Sequence, residues 1–113
     1  MKKYIAVKPN KGNITHLRVD LDYQLGGMNV FTYKREPRGY YLSVCPVERE
    51  NRGNGVVMES FTAFTGTKML VKEVTRKSAK AEREAEDYAA TRERELIDYI
   101  LAKHGLELES EQP

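Results

Sequence analysis

The stretch that decides the fold is RKSAKAEREAEDYAATRERELIDYILAK, residues 76–103. At about 3.6 residues per turn, its apolar side chains gather on one side, which is the pattern of a helix packed on a sheet. We predict one helix over 76–104, with Thr75 or Ser78 as its N-cap and Gly105 as the left-handed residue after its end. The predicted inner stripe consists of Ala81, Ala85, Tyr88, Ala89, Leu96, Tyr99 and Ile100.

Strand patterns precede this helix. In His16–Tyr23, apolar and polar residues alternate, which is typical of an antiparallel strand with one buried face. Because Pro46 lacks an N–H group, the strand that contains it should end there or lie at an edge. The charged segment 48–55 contains two glycines and is predicted to be a mobile loop. The other predicted strands are Tyr4–Lys8, Asn29–Lys34, Tyr40–Val47, Val56–Thr65 and Lys68–Val74.

These patterns predict an α+β fold: an antiparallel β-sheet, a meander of five or six strands, followed by one long C-terminal α-helix packed on one face. A chain of 113 residues with 40% apolar and 32% charged residues fits one globular domain. We place this domain at 1–105, with the sheet over 3–74, and predict a flexible acidic tail over 106–113. Since no run is long and apolar enough to cross a bilayer or to form a signal peptide, we expect a cytoplasmic protein without a membrane partner.

The residues that most often carry chemistry do not form a recognisable motif. His16 and His104 are far apart in sequence, and neither has a second ligand at metal-binding spacing. Asp20 and Asp22 are more typical of a solvated strand face than of an acid–base pair, and Cys45 is more typical of a small apolar residue in a strand. We therefore expect no enzymatic activity, no cofactor and no metal site.

Charge and aromatic residues suggest one alternative function, the binding of single-stranded nucleic acid. Residues 1–75 contain 12 Lys and Arg against 7 Asp and Glu, whereas residues 76–113 contain 7 against 10. The excess in the first part is modest for a protein that depends on phosphate contacts, and tyrosines and arginines are also common in plain hairpins. Rings nevertheless stack on unpaired bases while cations neutralise phosphates. The candidate residues are Phe31, Tyr33, Lys34, Arg35, Arg38, Tyr40 and Tyr41.

Near its C-terminus, the predicted helix carries apolar side chains around almost its whole circumference. A single sheet covers only one side of a helix, so this surplus is either enclosed by loops or used for contact with a second copy or another protein. Our leading hypothesis is a non-enzymatic module that binds a protein partner or self-associates into a homo-oligomer through this region. The candidate contact residues are Leu96, Ile97, Tyr99, Ile100 and Leu101.

Three segments also carry a resemblance to known proteins. Leu25–Tyr33, Arg38–Val44 and Arg76–Glu82 resemble small uncharacterised accessory proteins carried on mobile elements of gut bacteria. The resemblance covers most of the chain. It implies a bacterial, cytoplasmic and non-essential setting, and it supplies no activity, cofactor or catalytic residue.

Overall fold

The computed structural model describes residues 1–61 and 65–110. It confirms the α+β fold class, because an antiparallel sheet is followed by one C-terminal helix that packs on it. Residues 62–64, which belong to the predicted strand Val56–Thr65, lie outside the described residues. The elements are β1 (Lys2–Ala6), β2 (His16–Gln24), β3 (Gly27–Met28), β4 (Arg35–Glu36), β5 (Gly39–Gly53), β6 (Val56–Ser60), β7 (Thr67–Glu73) and α1 (Ala79–His104).

The long strand β5 is the centre of the sheet. It pairs antiparallel with β2 along one side, from Val47 opposite His16 to Gly39 opposite Gln24. Its opposite side pairs with β7 through residues 39–44, and its C-terminal part, residues 48–53, pairs with β6. β1 pairs with the free side of β2. The main sheet is therefore built from strands that are antiparallel to their neighbours throughout.

β5 is longer than the sequence predicted. The expected strand end at Pro46 and the expected mobile loop over 48–55 are both wrong, because β5 continues to Gly53 and forms a hairpin with β6. Pro46 is tolerated because neither β7 nor β6 pairs with it. β7 pairs with β5 as far as Val44, and β6 begins to pair at Glu48.

The predicted strand Asn29–Lys34 is instead a loop. It connects the two-residue strands β3 and β4, which pair with each other and not with the main sheet. The reversal expected at Gly26 and Gly27 is present, and both residues have positive φ, 76° and 114°. A side chain at Gly26 would also place its Cβ 2.5 Å from the carbonyl oxygen of Glu36, so glycine is required there.

Of the two predicted N-caps of α1, Ser78 is the one used, so the helix begins at Ala79 and the predicted start at residue 76 is wrong, whereas Gly105 follows its end as predicted. The Ser78 side chain accepts a hydrogen bond from the backbone N–H of Ala81 at 3.1 Å, and Gly105 has a left-handed φ of 62°. Ala81, Ala85 and Ala89 are buried against the sheet, where their small side chains let the helix lie close to the strands.

Two ion pairs show how α1 crosses the sheet. Glu84 in its first half pairs with Lys72 on β7, whereas Glu93 in its second half pairs with Lys3 on β1. The helix therefore runs diagonally from one edge of the main sheet to the other. Its apolar side faces Leu17, Val19, Leu42 and Val44, which are among the most buried side chains of the protein.

The predicted inner stripe of the helix is partly wrong. Tyr88 and Tyr99 are exposed, whereas Ile97, which was assigned to the surplus apolar surface, is buried together with Ile100. The cause is a small difference in rotation about the helix axis. Near the helix end, Ile97 and Ile100 face the core, Leu96 and Leu101 lie at its border, and Tyr99 turns to solvent.

The segment after the helix differs from the predicted flexible tail in its first part. The chain reverses at Gly105, and the Leu106 side chain is buried in the core. Residues 107–109 then run along the free edge of β1, with a hydrogen bond from Lys8 N to Glu107 O of 2.8 Å and an antiparallel bridge between Val7 and Leu108. Residues 106–109 thus belong to the domain, and residues 111–113 lie outside the described residues.

A candidate protein-interaction site on the β3–β4 loop

The apolar helix end is mostly used by the protein's own core. Ile97 and Ile100 are buried, and Leu96 and Leu101 are half-buried against the same core. Residues 106–108 add cover that a sheet alone does not provide, because Leu106 is buried in the same core and Leu108 packs against it. Tyr99 is the member of the predicted contact set that remains exposed.

The predicted nucleic-acid residues divide into two groups. Tyr40 and Tyr41 are buried, with exposed fractions of 2% and 4%, so their rings are not accessible to bases. Tyr40 faces the helix, and the Tyr41 hydroxyl donates to the carbonyl oxygen of Pro37 at 2.6 Å. The exposed group consists of Phe31, Tyr33, Lys34, Arg35 and Arg38.

A cluster of exposed apolar residues surrounds this second group. We call residues 25–33, which include β3 and the first part of the loop that follows it, the apolar loop. Five of its large side chains are between 60% and 82% exposed, which is a high density of apolar surface for nine residues in a row. They are Leu25, Met28, Val30, Phe31 and Tyr33.

Hydrogen bonds that Asn29 accepts and donates hold the conformation of this loop. Its side-chain oxygen accepts from the backbone N–H of Phe31 at 2.9 Å and of Thr32 at 3.2 Å. Its backbone accepts from Tyr33 N at 2.8 Å and donates to Lys34 O at 2.9 Å. A single asparagine thus satisfies four backbone groups, so that the exposed apolar side chains stand on an ordered backbone.

Tyr33 has an unusual backbone conformation. Among the described residues, three that are not glycine have positive φ: Asn13 at 59°, Tyr33 at 58° and Asn54 at 53°. Asparagine tolerates the left-handed region, whereas a bulky aromatic residue there is strained. Tyr33 is also the most exposed of the large apolar residues that the structure describes, at 82%. Strain at an exposed aromatic residue is a feature of binding surfaces rather than of packing.

Basic residues follow the apolar loop directly. Lys34 and Arg35 are exposed beside Tyr33, whereas the nearby carboxylate of Glu36 is paired with Lys68 at 3.0 Å. The Arg38 guanidinium donates to two backbone carbonyl oxygens, that of Leu25 at 3.2 Å and that of Thr75 at 3.5 Å. The apolar surface is therefore bordered by positive charge.

The other chemically capable side chains have structural partners. His16 Nδ1 lies 2.8 Å from Thr15 Oγ1, and His104 Nε2 lies 2.8 Å from the carbonyl oxygen of Thr65. Cys45 is half-buried, with its Sγ 3.5 Å from the carbonyl oxygen of Pro46. In residues 1–61 and 65–110, no three His, Cys, Asp or Glu side chains come together as metal ligands, and no helix is long and apolar enough to span a membrane.

Sequence reasoning identified only part of this site. It singled out Phe31 and Tyr33 but placed them on a strand, and it gave no role to Leu25, Met28 or Val30. A usable signal was present, since Gly26-Gly27 followed by an asparagine favours a turn over a strand. Comparison of the chain with protein-family models, curated proteins and solved structures gave no match.

Proposed function

We propose that this protein is a non-enzymatic protein-binding module that contacts its partner through the apolar loop 25–33. The observation that carries the proposal is the combination of high exposure and order: five large apolar side chains project from a backbone held by Asn29. Exposing these side chains is unfavourable in water, and burying them in a partner would recover about 25 cal/mol per Å² of apolar surface.

An ordered loop improves the affinity of such a contact. A flexible loop loses conformational freedom when it binds, whereas the hydrogen bonds of Asn29 have already restricted residues 29–34 in the free protein. The strained φ of Tyr33 supports the same conclusion, because the backbone accepts an unfavourable conformation that directs this ring to solvent.

Charge indicates the chemistry of the partner. Lys34 and Arg35 border the apolar loop, so a complementary surface would consist of an apolar pocket with carboxylates at its rim. A symmetric contact between two copies would instead bring the same cations together, because the same patch faces itself in a twofold dimer. The arrangement therefore favours a different protein over a second copy.

A second candidate function is the binding of single-stranded nucleic acid. It is favoured by the exposure of Phe31 and Tyr33 beside Lys34 and Arg35. It is weakened by the burial of Tyr40 and Tyr41, which removes two of the rings expected to stack on bases. Leu25, Met28 and Val30 also have no role in this function, since aliphatic side chains do not stack on bases as rings do.

The test compares two double variants of the full chain. Phe31→Ser with Tyr33→Ser changes the apolar loop, and the matched control, Tyr88→Ser with Tyr99→Ser, removes two exposed tyrosines from the helix. Each immobilised protein is used to capture partners from a bacterial lysate, with and without nuclease. A captured protein is then purified, and its dissociation constant for each variant is measured by calorimetry.

We expect the loop variant to lose at least about tenfold in affinity and the helix variant to keep it, since central aromatic contacts dominate interfaces. Equal affinity of both variants would contradict the proposal. Capture that disappears with nuclease, together with salt-sensitive binding of a labelled oligonucleotide, would favour the nucleic-acid function instead. Light scattering of the isolated protein separates self-association from binding of a different protein.

A further inference from the structure

A groove lies between the apolar loop and the face of the sheet that is opposite to the helix. Its volume is about 410 Å³, which is within the range of small-molecule sites. Ser43, Val44 and Cys45 of β5 contribute to its lining, together with Asn29, Phe31 and Thr32 of the loop. The remaining lining residues are Arg18, Gly66, Thr67 and Lys68.

The charged residues described in the lining of this groove are all positive. Among its described lining residues, Arg18 and Lys68 are cationic and none is Asp or Glu. The carboxylates that pair with them, Glu59 and Glu36, do not line the groove. The lining also includes Phe31, so it combines apolar surface with positive charge.

Lys68 and Arg18 both have N–H groups that the neighbouring acceptors do not use. Within the described residues, Lys68 Nζ lies 3.2 Å from Gln24 Oε1 and 3.2 and 3.0 Å from the two oxygens of Glu36, which can share one of the three ammonium hydrogens. Arg18 donates to Glu59 through Nη1 at 2.6 Å, and a guanidinium has five N–H groups. An anionic group in the groove can therefore accept charge-assisted hydrogen bonds while the existing ion pairs persist.

We propose that this groove binds a small amphipathic anion, a molecule with an aromatic or aliphatic body and one carboxylate or sulfonate group. The apolar body would lie against Phe31, and the acidic group would bind Lys68 or Arg18. Charge complementarity selects this class over neutral or cationic ligands, because the described lining residues include two cations and no carboxylate. The groove shares Phe31 with the apolar loop that we assign to the protein partner, whereas Arg18 and Lys68 lie outside that loop.

A matched pair of fluorescent probes tests the charge requirement. 8-Anilinonaphthalene-1-sulfonate and N-phenyl-1-naphthylamine share one aromatic body, and only the first carries an anionic group. The groove predicts that the sulfonate binds the unmodified protein about tenfold more tightly than the neutral amine. Equal dissociation constants for the two probes would overturn the proposal.

Cys45 reports whether the probe occupies the groove. It is the single cysteine of the chain, and it lines the groove. Saturating sulfonate probe should slow its alkylation by iodoacetamide severalfold. An unchanged alkylation rate would place the probe elsewhere and overturn the site. Both measurements use the unmodified protein and therefore do not depend on the folding of a variant.

Two lysines of β7 provide matched variants. Lys68→Gln removes a cation from the groove, whereas Lys72→Gln removes one that pairs with Glu84 of the helix and does not line the groove. We expect Lys68→Gln to weaken the sulfonate probe about tenfold without changing the neutral probe. Lys72→Gln should change neither. Equal effects of the two substitutions would mean that only the net charge of the protein matters, and would overturn the assignment to this groove.

Discussion

The Arg18 guanidinium of β2 donates to the Glu59 carboxylate of β6 at 2.6 Å, although β6 pairs with β5 and not with β2. This contact connects the β5–β6 hairpin to the helix-free face of the sheet. Arg49 Nε lies 3.7 Å from the other oxygen of this carboxylate, and its guanidinium lies 3.8 Å from the centre of the Tyr4 ring. Side chains from four strands therefore meet at one carboxylate.

This carboxylate predicts a dependence of stability on pH. Burial raises the pKa of Glu59, but hydrogen bonds from Tyr4 and Arg18 and the charges of Arg18 and Arg49 outweigh it, so its pKa is lowered from 4.5 in the folded protein. A lowered folded pKa means that this stabilisation is fully present above about pH 4.5, the unfolded value, and is lost as the pH falls through the folded pKa.

We expect Glu59→Gln to lower the free energy of unfolding at neutral pH, and the difference from the unmodified protein to shrink toward pH 3 or so. Urea unfolding at a series of pH values measures this difference. Glu50→Gln is the control, because Glu50 is an exposed carboxylate on the same hairpin. If the difference between the unmodified protein and Glu59→Gln were independent of pH, the role of this carboxylate would be refuted.

The burial of Ile100 predicts a large effect of its truncation. Ile100→Ala removes a fully buried side chain beside the sheet and should lower the free energy of unfolding by roughly 2–5 kcal/mol. Tyr99→Ala, one position earlier on the exposed face, should change it by less than about 0.5 kcal/mol. Chemical denaturation of both variants measures the contrast, and similar losses would show that the orientation of the helix end is incorrect.

The close approach of β5 and β7 at Gly39 predicts that this position does not accept a side chain. A Cβ at Gly39 would collide with the carbonyl oxygen of Lys72 and would lie 2.9 Å from the Cα of Glu73. Gly39→Ala should therefore lower the unfolding free energy by about 1–3 kcal/mol. Gly12→Ala is the control, since a Cβ there has its nearest atom at 3.6 Å. A neutral Gly39→Ala would argue against the register between the two strands.

The segment after the helix predicts a measurable contribution to stability. Leu106→Ala truncates a buried side chain and should cost roughly 2–3 kcal/mol of unfolding free energy. Glu107→Ala affects an exposed pair with Lys8 and should cost less than about 1 kcal/mol. Thermal unfolding distinguishes them. A negligible effect of Leu106→Ala would mean that residues 106–109 do not pack on the domain in solution.

The strained backbone at Tyr33 predicts that stability and binding respond in opposite directions. Tyr33→Asn keeps the left-handed conformation with a residue that tolerates it, so the free energy of unfolding should rise by up to about 1 kcal/mol. The same substitution should weaken the protein partner, because it removes the most exposed ring of the apolar loop. Denaturation and calorimetry on one preparation measure both. Lower stability would show that Tyr33 has a packing role.

Local patterns were reliable for the type of most elements. The alternation in His16–Tyr23 corresponds to β2, and the helical period with its caps at Ser78 and Gly105 corresponds to α1. The pattern was less reliable for Asn29–Lys34, because a short run of apolar residues suits a strand and an exposed loop equally well. Whether such a run is buried depends on what packs over it.

Sequence alone determined the antiparallel sheet, the long helix and its C-terminal Gly105, and it reduced the N-cap to Thr75 or Ser78, because hydrophobic period and capping chemistry act between residues close in the chain. Tertiary structure decided which apolar residues are exposed. Tyr41 is buried although its strand face is opposite to the helix, since Pro37 and Lys68 contact its hydroxyl and its ring. Ile97 is buried because the rotation of the helix turns it toward the core, whereas nothing described covers Tyr33. Burial is set by segments distant in sequence, so the candidate site emerged only from the fold.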